Sequence, residues 1–463
     1  MSRGWKVRLE ARREGEAWSL YLVEGLENGE RDEANPDPAL RGRPLLGAAL
    51  AGGLTFDGRG WSGGWVYDPE TGHRYSCLAR LAGSGADREL ILRGYLGLPV
   101  LGIAQRMQRP GARADLTPGC ASAGALSDLP PPWEKQRARA WMDARPWPLG
   151  CDYTPAYAAN QLEFWRSFNP EAIDRELALA EGLGFNTLRV YLHYLAWRPR
   201  PRVFLDRLGR FLDLAARRGM AVMPVLFDDC WNDPGLMARM AAPRPGVHNS
   251  RWLRCPGTRM VRDPSSWHAL EDYAGGIMDA FRSDERVLCW DLYNEPGNGA
   301  GFLPTTVRLL GEVFKWARRV DPDQPLTCGI WKRSSWFKGL NRFILDNSDL
   351  VSFHNYGPAS SMAAEIDELS AEGRPMICTE YMARGMGSRF QTHLPLLRSH
   401  GVGAINWGLV DGRTQTKYPW NSRPGSPEPE PWFHDIFRSD GSPYDVSEIE
   451  CIRKEARQAG LLA

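Results

Sequence analysis

The chain of 463 residues holds no run of about 18 apolar residues, so no conventional membrane-spanning helix is expected. Nor does one sign of charge dominate: 57 basic residues stand against 56 acidic ones, for a net charge of +1. A chain so balanced lacks the field that draws nucleic acid or an anionic membrane, and its partner is expected to be uncharged. The opening MSRGWKVRLEARREGEAW has basic residues but not the apolar core that a secretory signal needs. As the sequence stands the protein is expected in the cytoplasm; a truncated start would make it periplasmic or secreted. Nine cysteines occur without a CxxC pair or a Cys/His ligand spacing, which argues against a zinc site and a disulfide framework alike. No GxGxxG or phosphate loop follows any strand-like run, so no nucleotide cofactor is expected, and no metal.

What is present is a globular composition with 43% hydrophobic residues and length enough for about two or three domains. Cys151, Cys289, Cys328 and Cys378 each sit inside an apolar, strand-like run, where a small buried thiol is the simplest role. Trp is abundant, at 19 residues. Most tryptophans fill core, but their faces also suit the apolar C–H faces of sugars.

Residues 1–109 are rich in Gly and in short alternating runs such as RYSCLARL and RELILRGYLG, broken by the turn signals DPETG and GSGAD. They predict a small antiparallel β domain. Residues 110–132, mostly Pro, Gly, Ala and Ser without periodicity, predict a linker. From Trp133 to Ala463 the pattern becomes strands alternating with helices. The strand-like runs are PWPLGCDYT, NTLRVYLHYL, AVMPVLFDD, RVLCWDLYNEP, LTCGIW, LVSFHNYG, PMICTEYM and GAINWGLV. Helical patterns lie between most of them, as in PEAIDRELALAEGLGF, whose apolar residues Ile173, Leu177, Ala180 and Leu183 share one face. Eight such units over about 300 residues have the rhythm of an α/β protein of the (β/α)8 TIM-barrel type, with an open doubly wound sheet as the competitor.

In a barrel, the C-terminal strand ends converge on one face and carry the chemistry. Strand two brings Arg189 and His193 there, strand three Asp228 and Asp229, strand four Asn294 and Glu295, strand six His354 and Tyr356, strand seven Glu380, and strand eight Trp407. The stretch WDLYNEPGN, residues 290–298, stops a buried strand at Asn-Glu-Pro-Gly and presents Glu295 at the sheet edge. Taken alone it reads equally as a turn with a solvated acid. Two glutamates facing each other across a barrel mouth suit glycoside cleavage, one protonating the leaving oxygen while the other attacks or stabilises the oxocarbenium-like centre.

From Trp133 to about Arg453 the chain resembles the retaining glycoside hydrolases of the (β/α)8 clan and is similar to glycoside hydrolase family five. The resemblance implies an acid/base at Glu295 and a nucleophile at Glu380. It implies that Asn294 binds the sugar 2-hydroxyl, that Arg189 and Tyr356 hold the nucleophile, and that His354 and Trp407 complete the subsite. His193 and Asp228 are added as substrate-binding candidates. Where such enzymes commonly carry a His just after strand three, this chain has Asp228-Asp229 within FDDCW. The motifs FDDCW, GVHNS, CTEYMARG and WFHDIFR resemble bacterial proteins described as cellulases or xylanases. Residues 28–109, with NPDPALRGRPLLGAAL, WSGGWVYDPETGHRYSC and LILRGYLGLPVLG, resemble the bacterial domain of unknown function 2147, which implies a small lipocalin-like all-β domain of a usually exported kind.

The physical roles run in parallel. A nucleophile must be ionised, and Arg189 with Tyr356 would keep Glu380 so; an acid needs a raised pKa, which is the expectation for Glu295. Arg189 could instead be a buried structural ion pair, Tyr356 a core aromatic, and His193 and Asp228 framework; His248 is expected at the surface. Asp68, Glu70 and Tyr75 could bind a ligand, though DPETG is more simply a β-turn. The function expected is hydrolysis of a β-linked oligo- or polysaccharide by double displacement. The alternatives are an inactive carbohydrate-binding barrel and an envelope protein whose N-terminal domain is the working part.

Overall fold

The computed structural model describes residues 8–24, 31–32, 35–58, 60–69, 73–82, 89–95, 103–108, 129–235, 242–298, 303–334 and 337–463. Glu70 and residues 110–128 of the expected linker lie outside them; 129–132 carry neither helix nor strand. Two compact units emerge: Met1–Cys120 with Ala300–Leu303 and Ser334–Lys338, and Ala121–Gly299 with Pro304–Arg333 and Gly339–Ala463. Among the described residues no helix is long and apolar enough to cross a membrane.

The first unit is all β. Strands β1 (Arg8–Glu14), β2 (Ala17–Glu24), β3 (Ala49–Phe56), β4 (Trp61–Asp68), β5 (His73–Ala82), β6 (Glu89–Tyr95) and β7 (Ile103–Gln108) each pair antiparallel with the next, a meander forming half of a barrel. Alternation puts Leu20, Ala51, Leu54, Cys77, Ala79 and Leu92 on one packed face. Buried Asp32 accepts from Asn35 Nδ2 at 2.7 Å, from Arg43 Nε at 3.1 Å and from the Tyr67 hydroxyl, the pairing a buried carboxylate requires. Tyr75 is half-buried on β5.

The second unit is the expected parallel barrel. Its strands are β8 (Leu149–Asp152), β9 (Thr187–Tyr191), β10 (Ala221–Asp228), β11 (Trp290–Asn294), β12 (Leu326–Thr327), β13 (Gly329–Ile330), β14 (Val351–His354), β15 (Met376–Tyr381) and β16 (Gly403–Trp407). They pair in the order β12-β11-β10-β9-β8-β16-β15-β14-β13. The fifth strand, expected as one run, is therefore two: β12 bonds to β11, β13 bonds to β14, and Cys328 stands where the ladder changes neighbour. A helix follows each of the eight strand positions: Pro170–Glu181, Pro201–Arg217, Trp267–Ala280, Leu303–Val320, Lys338–Asn347, Ala359–Ser370, Phe390–Ser399 and Val446–Gln458. The first shows why. Asn169 accepts from Ala172 N, Pro170 starts the helix at a position needing no N–H, and Ile173, Leu177 and Ala180 face the sheet.

At the N-terminal end of the strands, Trp133 and Ala138 pack with Met223, Leu288, Cys289, Leu350, Ile377 and Ile405. Trp133 N donates to Asp349 Oδ1 at 2.7 Å and Trp141 Nε1 to Leu288 O at 3.0 Å, so the segment beginning at Trp133 plugs that end. Fully burying side chains of this kind contributes about 1.5–3 kcal/mol each. The C-terminal end is left for polar groups.

Candidate active site

Arg189 on β9 is fully buried at the centre of the opposite end. Its Nε donates to Asp291 Oδ2 at 2.9 Å, its Nη1 to Asp152 Oδ1 at 2.8 Å and to Glu380 Oε1 at 2.9 Å, and its Nη2 to Asn294 Oδ1 at 2.6 Å. Burial pushes Asp152 well above the usual carboxylate range, against the pull of Arg189. Glu380 is gripped further: Tyr191 Oη donates to its Oε1 at 2.8 Å and Tyr356 Oη to its Oε2 at 2.8 Å.

Glu295 closes β11 with φ of 44°, the left-handed region, and it precedes a proline, which favours extended backbone. Such a conformation costs about 1–3 kcal/mol and survives only where the surroundings dictate it. They do. Asp229 accepts from Tyr293 Oη at 2.8 Å, Gly297 N at 2.8 Å and Thr306 Oγ1 at 3.1 Å, tying the Asn-Glu-Pro-Gly turn to the end of β10. The carboxylate thus aimed inward meets His354 Nδ1 at 2.8 Å from Oε1, while Cys230 Sγ donates to Oε2 at 3.1 Å and Asn298 Nδ2 donates to the same oxygen. His354 Nδ1 also lies 3.4 Å from Glu380 Oε2. One atom each of Glu295, His354 and Glu380 lies within 4.8 Å of the others. The trio has the donor set for a small divalent cation, but the same spacing is met by a proton on His354 Nδ1.

Burial alone would raise the pKa of Glu295; the hydrogen bond and charge of His354, then the donors Cys230 and Asn298, outweigh it and hold the group below the usual range. The expectation of a raised value is therefore corrected for the free site. The physical reason is three donors around one carboxylate.

Asp228 stands beside the pair as framework. Its Oδ1 accepts from Asn294 Nδ2 at 2.9 Å and Cys230 N at 2.9 Å, and its Oδ2 from Trp252 Nε1 at 2.7 Å. Burial pushes it up to about 7. Between Asp228 and Arg189 the Asn294 amide is fixed at both ends. Trp407 closes β16 and packs edge-on to Tyr191 and Trp252, with ring centroids 5.7 Å and 5.6 Å away. The next residue, Gly408, has φ of 84°, and a Cβ there would lie 2.5 Å from Asp435 Oδ1. Arg189, Asn294, Glu295, His354, Tyr356 and Glu380 are thus joined by direct bonds. The bonds of His193 run elsewhere: Nδ1 accepts from Leu195 N at 3.1 Å and Nε2 lies 2.9 Å from Arg254 O, with burial pushing the ring down to about 3. His248, expected at the surface, is buried, with Nδ1 2.7 Å from Tyr418 O, and burial pushes it down to about 4.

Sequence reasoning missed Tyr191, Cys230, Asp152, Asp291 and Asn298. Tyr191 had a signal, since it lies two residues beyond Arg189 and so on the same face of the strand. Cys230 and Asn298 lie in loops, where no periodicity points.

A parallel barrel with a buried Arg, two tyrosines and two glutamates at its strand ends defines a class, the barrel glycoside hydrolases. The model of the cellulase family, glycosyl hydrolase family 5, matches residues 157–412, more than half of the chain, and the chain belongs to that family. It is a glycoside hydrolase by family. The model of an uncharacterized protein conserved in bacteria, DUF2147, matches residues 3–109, starting earlier than the motifs near residue 28 had indicated. No curated protein matches the chain in sequence. Similar solved structures include GH5_18 from Streptomyces cattleya in complex with GlcNAc, at 16% identity over 68% of this chain and 81% of that one, TM-score 0.49. The endo-β-1,4-mannanase of Thermotoga petrophila aligns at 17% identity over 68% and 77%, TM-score 0.46. The endo-1,4-β-mannanase of Rhizomucor miehei aligns at 11% over 69% and 96%, TM-score 0.47.

Proposed function

We propose that the protein hydrolyses a β-linked oligo- or polysaccharide with retention, Glu380 as nucleophile and Glu295 as acid/base. The observation that carries this reading is the closeness of the pair, which shares His354 Nδ1 at 2.8 Å from Glu295 Oε1 and 3.4 Å from Glu380 Oε2. Retaining pairs sit about 5–5.5 Å apart, whereas inverting pairs need about 6.5–9.5 Å to admit a water.

In the first step Glu380 attacks the anomeric carbon from below as the glycosidic C–O bond breaks, and Glu295 gives its proton to the departing oxygen. Arg189, Tyr191 and Tyr356 keep the attacking carboxylate charged and aimed. In the second step Glu295 takes a proton from water, which displaces Glu380 and regenerates the site. For the acid step the proton comes across the 2.8 Å hydrogen bond from His354 Nδ1 when a bound aglycone excludes water from the carboxylate. Asn294, pinned by Arg189 and Asp228, exchanges its 3.3 Å bond to Cys230 Sγ for one to the sugar 2-hydroxyl, and Trp407 lies under the ring.

The test is a panel of aryl β-glycosides and β-glycans with proton NMR of the first product. Release of the β anomer supports the reading. Release of the α anomer shows inversion, and no turnover of any substrate removes the enzyme reading.

A further inference from the structure

The rim of the barrel is built up unequally. Residues 408–445, after β16, are bonded to residues 245–249, in the segment after β10. Asn249 N donates to Thr414 O at 2.8 Å, Gly425 N to Pro245 O at 2.9 Å, Gly246 N to Gln415 Oε1 at 2.9 Å, and His248 N to Ser422 Oγ at 3.0 Å. In the sheet, β9 and β8 lie between β10 and β16. The bridge takes this short way round, because it rests on the segment after β8: Arg413 N donates to Ala156 O at 2.9 Å, and a Cβ on Gly412 would lie 2.4 Å from Ala156 Cα. Two more bonds seal the same arc, Asn160 Nδ2 to Arg251 O at 3.0 Å and His193 Nε2 to Arg254 O at 2.9 Å. What space remains beneath, bounded by Asp152, Tyr191, Trp252, Trp407, Thr414 and Asp435, is a cavity of about 20 Å³. A water needs about 10–15 Å³, so the recess holds about one water. At β14 only residues 355–358 precede the helix Ala359–Ser370, and there the segment after β16 reaches no further than Tyr356, whose ring packs on Trp420 with centroids 5.0 Å apart.

We infer that this bridge ends the glycone side of the site, so that the enzyme removes single sugars from the non-reducing end. The inference rests on the glycosidase reading. Because Glu295 on β11 protonates the leaving oxygen, the departing chain must lie toward β11. The sugar kept on Glu380 then lies toward β16, β8 and β9, over Trp407, Tyr191 and Arg189. That is the arc the bridge crosses, and a second sugar beyond the reacting one would collide with it. His193 and His248 acquire a role here: each ties a segment of the wall.

The experiment uses the full chain and a panel of β-1,4- and β-1,3-linked tetrasaccharides of glucose, mannose and xylose, fluorescently labelled at the reducing end and sampled early. The expected first products are an unlabelled monosaccharide and the labelled trisaccharide, with disaccharide released at less than about a tenth of that rate. A labelled mono- or disaccharide appearing first would overturn the inference while leaving the glycosidase reading intact. No cleavage of any oligosaccharide, together with failure on the aryl glycosides, would overturn both. The double variant Gln415→Ala, Ser422→Ala loosens the bridge and should bring disaccharide among the first products; wild type alone already decides if that variant does not fold.

Discussion

The proton carried by Glu295 is governed by its immediate neighbours. Cys230 Sγ accepts from Asn294 Nδ2 at 3.3 Å and donates to Glu295 at 3.1 Å, linking the two residues. The thiol helps hold the Glu295 pKa down, after the larger effect of His354. Cys230→Ala therefore raises that pKa, and the Glu295 carboxyl, followed by carbon NMR titration of the free enzyme, should titrate at higher pH; Cys230→Ser, which keeps a donor, should stay near wild type. A titration that does not move in the alanine variant contradicts the assignment. Tyr191 is the second case. Tyr191→Phe deletes a hydrogen bond to the Glu380 carboxylate and one from Arg189 Nη1, each worth about 1.5–3 kcal/mol, so kcat should fall by about one to two orders of magnitude or more with the fold retained. Full activity would move Tyr191 into the framework.

At the scale of elements, the turn that presents Glu295 is held from β10, not by its own sequence. Asp229 takes three donors from the β11 side, and Asp229→Ala leaves the Tyr293 hydroxyl, the Gly297 N–H and the Thr306 hydroxyl without their acceptor. At about 1–3 kcal/mol for each buried group so exposed, thermal unfolding should show a loss of about 3 kcal/mol or more, and much less for Asp229→Asn. Equal stability of the alanine variant would show that the turn holds itself. The strands and their order were legible because buried parallel strands read as near-continuous apolar runs ending in polar pairs. Arg189, Glu295 and Glu380 were legible for the same reason, a charged residue where such a run should be apolar. The division of the fifth strand at Cys328 was not, since hydrogen-bond partners leave no mark on composition. The wall over β8 and β9 was also hidden: it depends on which loops touch, and the loop residues His248, Gln415 and Ser422 look like any polar surface.

For the whole molecule, eight described cysteines are free thiols, seven of them buried. Burial pushes Cys77 up to about 12, and Cys151, Cys328 and Cys378 well above the ordinary thiol range, so they are poor nucleophiles in the folded chain. We propose a reducing compartment for the protein. Thiol titration of the unfolded chain without reductant should count nearly all nine cysteines, and several missing thiols would point to an oxidising one. The N-terminal antiparallel β domain was read from alternation in runs such as RYSCLARL, where Cys77 and Ala79 do face the packed side. The buried Asp32, held by Arg43, Asn35 and Tyr67, was not legible, because its three partners are brought together only by folding.

The central claim, that Glu380 forms a covalent bond and Glu295 exchanges the proton, is tested most directly by azide rescue of Glu295→Ala and Glu380→Gly on an activated aryl β-glycoside. In Glu295→Ala the glycosyl-enzyme still forms, and azide entering from the acid/base side should yield the β-glycosyl azide. In Glu380→Gly azide occupies the vacated space below the sugar and should yield the α-glycosyl azide. Products of the opposite configurations, or no rescue in either variant while wild type turns over, would contradict the assignment of the two carboxylates.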